Sequence, residues 1–187
     1  MTDILTSPSL SPEQEQALGK VSALYQTPKM HDASVSGQRL RFGLIADPQY
    51  ADAVTEKDRY YRNSLNKLAT AITELNDLKL DFVVTLGDLV DRDWCSFEPV
   101  LNTYAALRHP HAALIGNHDA QVISQHLGAQ TPALGLPKSY YAFTLPGYRF
   151  LVTDGNDVSL YCNHANGDDH QLAEFMLDEL TECQQSQ

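Results

Sequence analysis

No apolar run in the 187 residues approaches the ~18 needed for a membrane span, so no membrane partner is expected. Basic clusters are missing as well. The formal net charge is -11, and an acidic surface without a Lys/Arg patch repels nucleic acid. The N-terminus is polar and acidic, with no basic segment leading into an apolar one, which argues against a secretory leader. Cysteine is sparse: Cys95, Cys162 and Cys183 are odd in number and show no CxxC spacing. That excludes a disulfide scaffold or zinc knuckle and points to free thiols in a reducing, cytoplasmic setting. Internal repeats and low-complexity tracts are also lacking. What is present is a hydrophobic fraction of 43%, enough for one soluble domain with a core.

Residues 1–38 read as an N-terminal extension, partly helical over Pro12–Tyr25, with Ala17, Leu18, Val21, Leu24 and Tyr25 on one face. Ser11 is the expected N-cap, and Gly19 weakens the helix. Residues 39–187 read as an α/β domain. Arg41–Ala46 is expected as a buried strand, Asp81–Leu86 as a second and Ala112–Ile115 as a third. Between them, Tyr61, Leu65, Leu68, Ala69, Ile72 and Leu75 recur at helical spacing. So do Phe97, Val100, Leu101, Tyr104 and Leu107, behind a candidate cap at Ser96. Ser139–Leu145 and Tyr148–Thr153 flank Pro146-Gly147 as a hairpin, and Asp169–Glu182 is expected as a helix.

Chemistry gathers where the strands end. The three apolar runs are followed by Asp47-Pro48-Gln49, by Gly87-Asp88-Leu89-Val90-Asp91 and by Gly116-Asn117-His118-Asp119. Parallel neighbouring strands would bring Asp47, Gln49, Asp88, Asn117 and His118 to one edge, where open α/β sheets bind ligands. These are hard oxygen donors plus one imidazole, a set suited to Mn²⁺, Mg²⁺ or Fe²⁺. A carboxylate such as Asp88 can bridge two cations, and paired cations can clamp a phosphate. Taken singly, each cluster also reads as a turn, a loop opening or a helix cap. Asp91 and Asp93 are expected in a solvated acidic loop. His31, His109, His111, His126, His164 and His170 show no ligand motif and are expected as ordinary surface or loop histidines.

The order D-x-Q, GDxxD, GNHD resembles the calcineurin-like metallophosphoesterase superfamily, and most closely its manganese-dependent ADP-ribose/CDP-alcohol diphosphatase branch. Gln49 in place of a histidine, the segment Arg59–Leu65 and the stretch Thr153–Leu160 carry the narrower similarity, which covers about Arg41 to Leu180. The resemblance implies the N-terminal half of an α/β/β/α sandwich. It implies Asp47 and Gln49 on one metal, Asp88 bridging two, Asn117 on the second and His118 as the catalytic group at the phosphate. It further implies two divalent metals, Mn²⁺ first, and a small-molecule nucleotide substrate split at its pyrophosphate bond.

The family completes its site with a later histidine and a Gly-His-x-His motif, and neither appears before Gln187. The sequence therefore reads as a domain lacking its C-terminal half. Two outcomes are open: a phosphohydrolase whose second half is supplied in trans, or an inactive truncated fragment that folds partly and binds metal weakly. Little turnover is expected from the chain alone.

Overall fold

Three short runs of β-branched and apolar residues pair side by side and set the frame. The computed structural model describes residues 12–25, 39–127, 140–156 and 168–185. The parallel sheet contains β1 (Phe42–Ile45), β2 (Phe82–Thr85) and β3 (His111–Ala113), in that order. Ile45 pairs with Thr85 and Thr85 with Ala113, so all three strands end at one level. The third strand is shorter than the expected Ala112–Ile115 at its far end.

Helices pack on one face of the sheet: α1 (Pro12–Tyr25), α2 (Asn63–Asn76), α3 (Phe97–Tyr104) and α4 (Asn117–Leu127). The periodic residues Leu68 and Ile72 of α2 and Phe97, Val100 and Tyr104 of α3 are buried in one cluster with Leu89, Val90 and Ile123. Ala69 lies outside that stripe and is exposed. Helix α1 docks rather than frays, burying Val21 and Tyr25 in the same core. Its proposed cap, Ser11, lies outside the described residues. Ser96 does not cap α3: it has helical backbone angles at the end of a 3-10 turn, and its hydroxyl donates to the Asp91 carbonyl.

The other face of the sheet meets the hairpin of β4 (Tyr141–Leu145) and β5 (Tyr148–Val152), joined by Pro146-Gly147. Gly147 takes φ 82°, a left-handed turn conformation that glycine adopts without strain. Phe143 and Phe150 stand edge-on to Phe82, which stacks on Phe42. This cover is partial. Phe42 and Leu44 remain exposed, so among the described residues β1 is buried on one face and is not the doubly buried strand that its composition suggests. The last helix, α5 (Asp168–Gln185), leaves Leu172, Phe175 and Met176 exposed. No helix among the described residues is long and apolar enough to cross a membrane.

Candidate metal centre

Because the strands end level, the chain must turn three times within a small volume, and the backbone shows it. Asp47, Gln49 and Asp88 all have positive φ (51°, 44° and 53°). Non-glycine residues rarely occupy this region, and they hold it only where surrounding structure fixes them. The fixing contacts are visible. Gln49 N–H donates to the Asp88 carbonyl (2.8 Å), Tyr50 N–H to that of Leu89 (3.1 Å), and Asp91 N–H returns to Tyr50 (2.8 Å). Thus β1 and β2 separate at their motifs and pair again one step further on.

The second and third motifs meet backbone to backbone. A Cβ on Gly87, whose φ is 95°, would lie 2.6 Å from Gly116 N, and one on Gly116 would fall inside the Asp88 backbone and carboxylate. Only glycine permits this approach. The Asp88 carboxylate sits at the junction. Its Oδ1 accepts the His118 backbone N–H (2.9 Å), and its Oδ2 lies 3.4 Å from Gln49 Nε2. Asp47 and Gln49 border a cleft beside β1, His118 borders a second cleft beyond Asp91, and Asn117 opens α4 between the two loops.

Two residues play parts that sequence reasoning did not give them. Asp91, expected in a solvated loop, is only 8% exposed. Its Oδ1 is 3.3 Å from His118 Nδ1, out of line for a hydrogen bond, so that nitrogen is buried without a hydrogen-bonded partner. Its other oxygen is 3.8 Å from the Arg59 guanidinium. Asp93 is exposed, as expected. Asp119 is fully buried: Oδ1 accepts from Leu89 N (2.8 Å) and Val90 N (3.1 Å), and Oδ2 from Gly116 N (3.0 Å). One side chain thereby ties the second motif loop to the third. Burial pushes its carboxyl up to about 7, against the pull of the backbone N–H groups. Its place in Gly116–Asp119 was the available signal. Asn156 is a further tie, its amide donating to the Ile115 carbonyl (3.1 Å) and so holding the hairpin exit to the third loop. Residues 157–160 of the stretch read with it lie outside the described residues.

The remaining histidines divide. His111 is no ordinary surface residue: it stacks on Tyr104, its Nε2 is 2.8 Å from Thr85 Oγ1, and burial pushes its pKa down to about 4. His109 reaches the Leu75 carbonyl (2.9 Å), and His126 stacks on Trp94. His31 and His164 lie outside the described residues, and His170 falls in α5.

The donor chemistry at the strand ends fits a hard divalent cation, with Asp47 and Asp88 as carboxylates and Gln49 and Asn117 as amides. It is not a closed cage. Among the described residues no group of three or more His, Cys, Asp and Glu side chains is arranged to hold a metal ion.

Residues 40–181 match the calcineurin-like phosphoesterase family. A manganese-dependent ADP-ribose/CDP-alcohol diphosphatase of Arabidopsis thaliana is 33% identical over 135 residues, covering 63% of this chain and 43% of that protein. The protein of the same name from Bos taurus is 32% identical over 166 residues, with 71% and 49% covered. The chain thus spans about half the length of the curated relatives it matches. A dimetal phosphatase from Danio rerio superposes with a TM-score of 0.62 at 25% identity, over 75% of this chain and 52% of that one. With the motif order, the parallel sheet and the strand-end junction agreeing, the chain belongs to the calcineurin-like phosphoesterase family.

Proposed function

We propose that the strand-end junction is part of a two-metal site that hydrolyses the pyrophosphate bond of nucleoside-diphosphate-linked small molecules. The observation that carries this is the strain at Asp47, Gln49 and Asp88: three predicted ligands hold rare backbone angles at one sheet edge. The names of the relatives, ADP-ribose/CDP-alcohol diphosphatases, support the substrate class. In this reading Asp47, Gln49 and Asp88 hold one cation, and Asp88 and Asn117 hold the second. Mn²⁺ is favoured over Zn²⁺ because amide and carboxylate oxygens are hard donors. Bound cations would neutralise diphosphate charge and lower the pKa of water.

The protein groups around them have separate tasks. A half-turn of the Gln49 amide presents its oxygen where Nε2 now faces Asp88. A small rotation of the His118 ring closes its Nδ1–H onto Asp91, which fixes the imidazole. Its other nitrogen then delivers a proton to the leaving phosphate oxygen. Asp119 holds the two loops in place and stays out of the chemistry. Further donors would come from outside the described residues, in this chain or in trans.

Calorimetric titration with Mn²⁺ tests the site directly. Asp88→Asn keeps the shape and the oxygen that accepts from His118, yet removes the bridging charge, so Mn²⁺ affinity should fall at least about tenfold with an unchanged circular dichroism spectrum. Equal affinity in both proteins would overturn the assignment. Hydrolysis of ADP-ribose and CDP-choline, assayed in parallel, tests the substrate class.

A further inference from the structure

The strand-end donors lie between two clefts of different chemistry. The cleft beyond Asp91, about 560 Å³, is walled by Lys57, Arg92, His118, Gln121 and Gln125 and is mostly polar. The cleft beside β1, about 380 Å³, is lined by Asp47 and Gln49 and by the aliphatic side chains of Ile45, Leu68 and Ala71. Tyr60 is among its lining residues, and Arg59 borders both clefts. Such a slot is within the size range of small-ligand sites, apolar with a few placed polar groups.

Tyr60 and Tyr61 are neighbours with opposite fates. Tyr61 is buried, and the Arg92 guanidinium lies 4.9 Å over its ring. Tyr60 is 57% exposed, and among the described residues no ring or guanidinium stacks on it. A single exposed tyrosine needs no explanation on an open surface. This one lines a partly apolar slot together with Asp47 and Gln49, two of the donors proposed to hold the cations. On α2, Lys67 adds a cation to the same wall. A flat apolar group entering the slot would meet the Tyr60 ring, while an anionic group attached to it would reach Arg59 and the strand ends.

We propose that the cleft beside β1 receives the nucleoside half of the substrate, with Tyr60 as the stacking surface that sets selectivity for a base. The non-nucleotide half then lies toward His118, in the polar cleft. This rests on the diphosphatase reading above and gives it a direction: the base enters along α2, and the group released on the His118 side is recognised by polar contacts.

The test is calorimetric binding to the full 187-residue chain with Mn²⁺ present, using ADP and methyl diphosphate as probes. The two carry the same charged end and differ in the nucleoside. ADP should bind at least about tenfold more tightly, the scale of one base–aromatic stack. Tyr60→Ala should erase that preference while leaving methyl diphosphate affinity unchanged, and Tyr60→Phe should keep it. Because the side chain is exposed, both variants should retain the wild-type circular dichroism spectrum. Equal binding of the two probes by the wild type would overturn the proposal while sparing the diphosphatase reading. So would a Tyr60→Ala variant that keeps the preference, or one that loses both ligands alike. Failure of both probes to bind would overturn both readings.

Discussion

The strand-end region and the hairpin with α5 obey different rules although they share one chain. In the first, Phe82, Val83, Leu89, Val90 and Val100 have no exposed surface, and backbone strain, two glycine contacts and a buried carboxylate hold three loops in register. In the second, Leu151 is 72% and Phe175 61% exposed, and among the described residues Phe143, Phe150 and Leu145 pack against Phe82 and Ala112 of the sheet. Burial, and not hydrophobic content, separates them. The difference teaches where function can be held: donors must stay fixed to within fractions of an ångström, and only the packed region over-determines its loops.

The comparison breaks most directly at two phenylalanines. Phe97→Ala, in the core, should lower unfolding stability by about 3–5 kcal/mol, whereas Phe175→Ala in α5 should change it by less than about 0.5 kcal/mol. Urea denaturation of both variants measures this. Similar losses would show that α5 is packed in solution and that the two regions are not distinct.

A pH titration sharpens it next. His111 has a folded pKa near 4, below its unfolded value near 6.5, so protons bind the unfolded chain first. The contribution is fully present above pH 6.5, is lost as pH falls toward 4 and amounts to about 3 kcal/mol. His111→Gln should flatten stability against pH in that window, measured by denaturant melts at pH 7.5, 5.5 and 4.5. An unchanged slope would place His111 in water.

The smallest effect is expected at glycine. Gly116→Ala drives a methyl group into Asp88 and should cost about 1–3 kcal/mol together with Mn²⁺ affinity, whereas Gly155→Ala, with open space around its Cβ, should be neutral. Thermal melts and metal titration separate the two. A tolerated Gly116→Ala would mean that the loops are looser than their contacts indicate.

Much of this was legible beforehand because period and punctuation are local. The α2 stripe, the Pro146-Gly147 turn and the three motifs each follow from residues close in sequence. Reading failed where a residue's surroundings come from elsewhere in the chain. Arg41–Ala46 has the composition of a buried strand, yet the hairpin covers Phe82 and leaves Leu44 in solvent. Asp91 sits in an acidic stretch with exposed Arg92 and Asp93, and contacts from Tyr50, Arg59 and His118, distant in sequence, surround it. His111 has no neighbours in sequence that reveal Thr85 and Tyr104 beside it.

By itself the sequence determined the family, the α/β order of elements and the oxygen-rich character of the strand ends, since these depend on residue type and spacing. Tertiary structure alone decided which carboxylates are spent on the protein. Asp119 is used up by three backbone N–H groups that lie up to thirty residues away, whereas Asp88, whose partners are a single backbone N–H and a distant amide, keeps lone pairs for a ligand. The physical reason is that a carboxylate's role depends on which donors surround it, and in a parallel sheet most of those donors come from a neighbouring strand's loop.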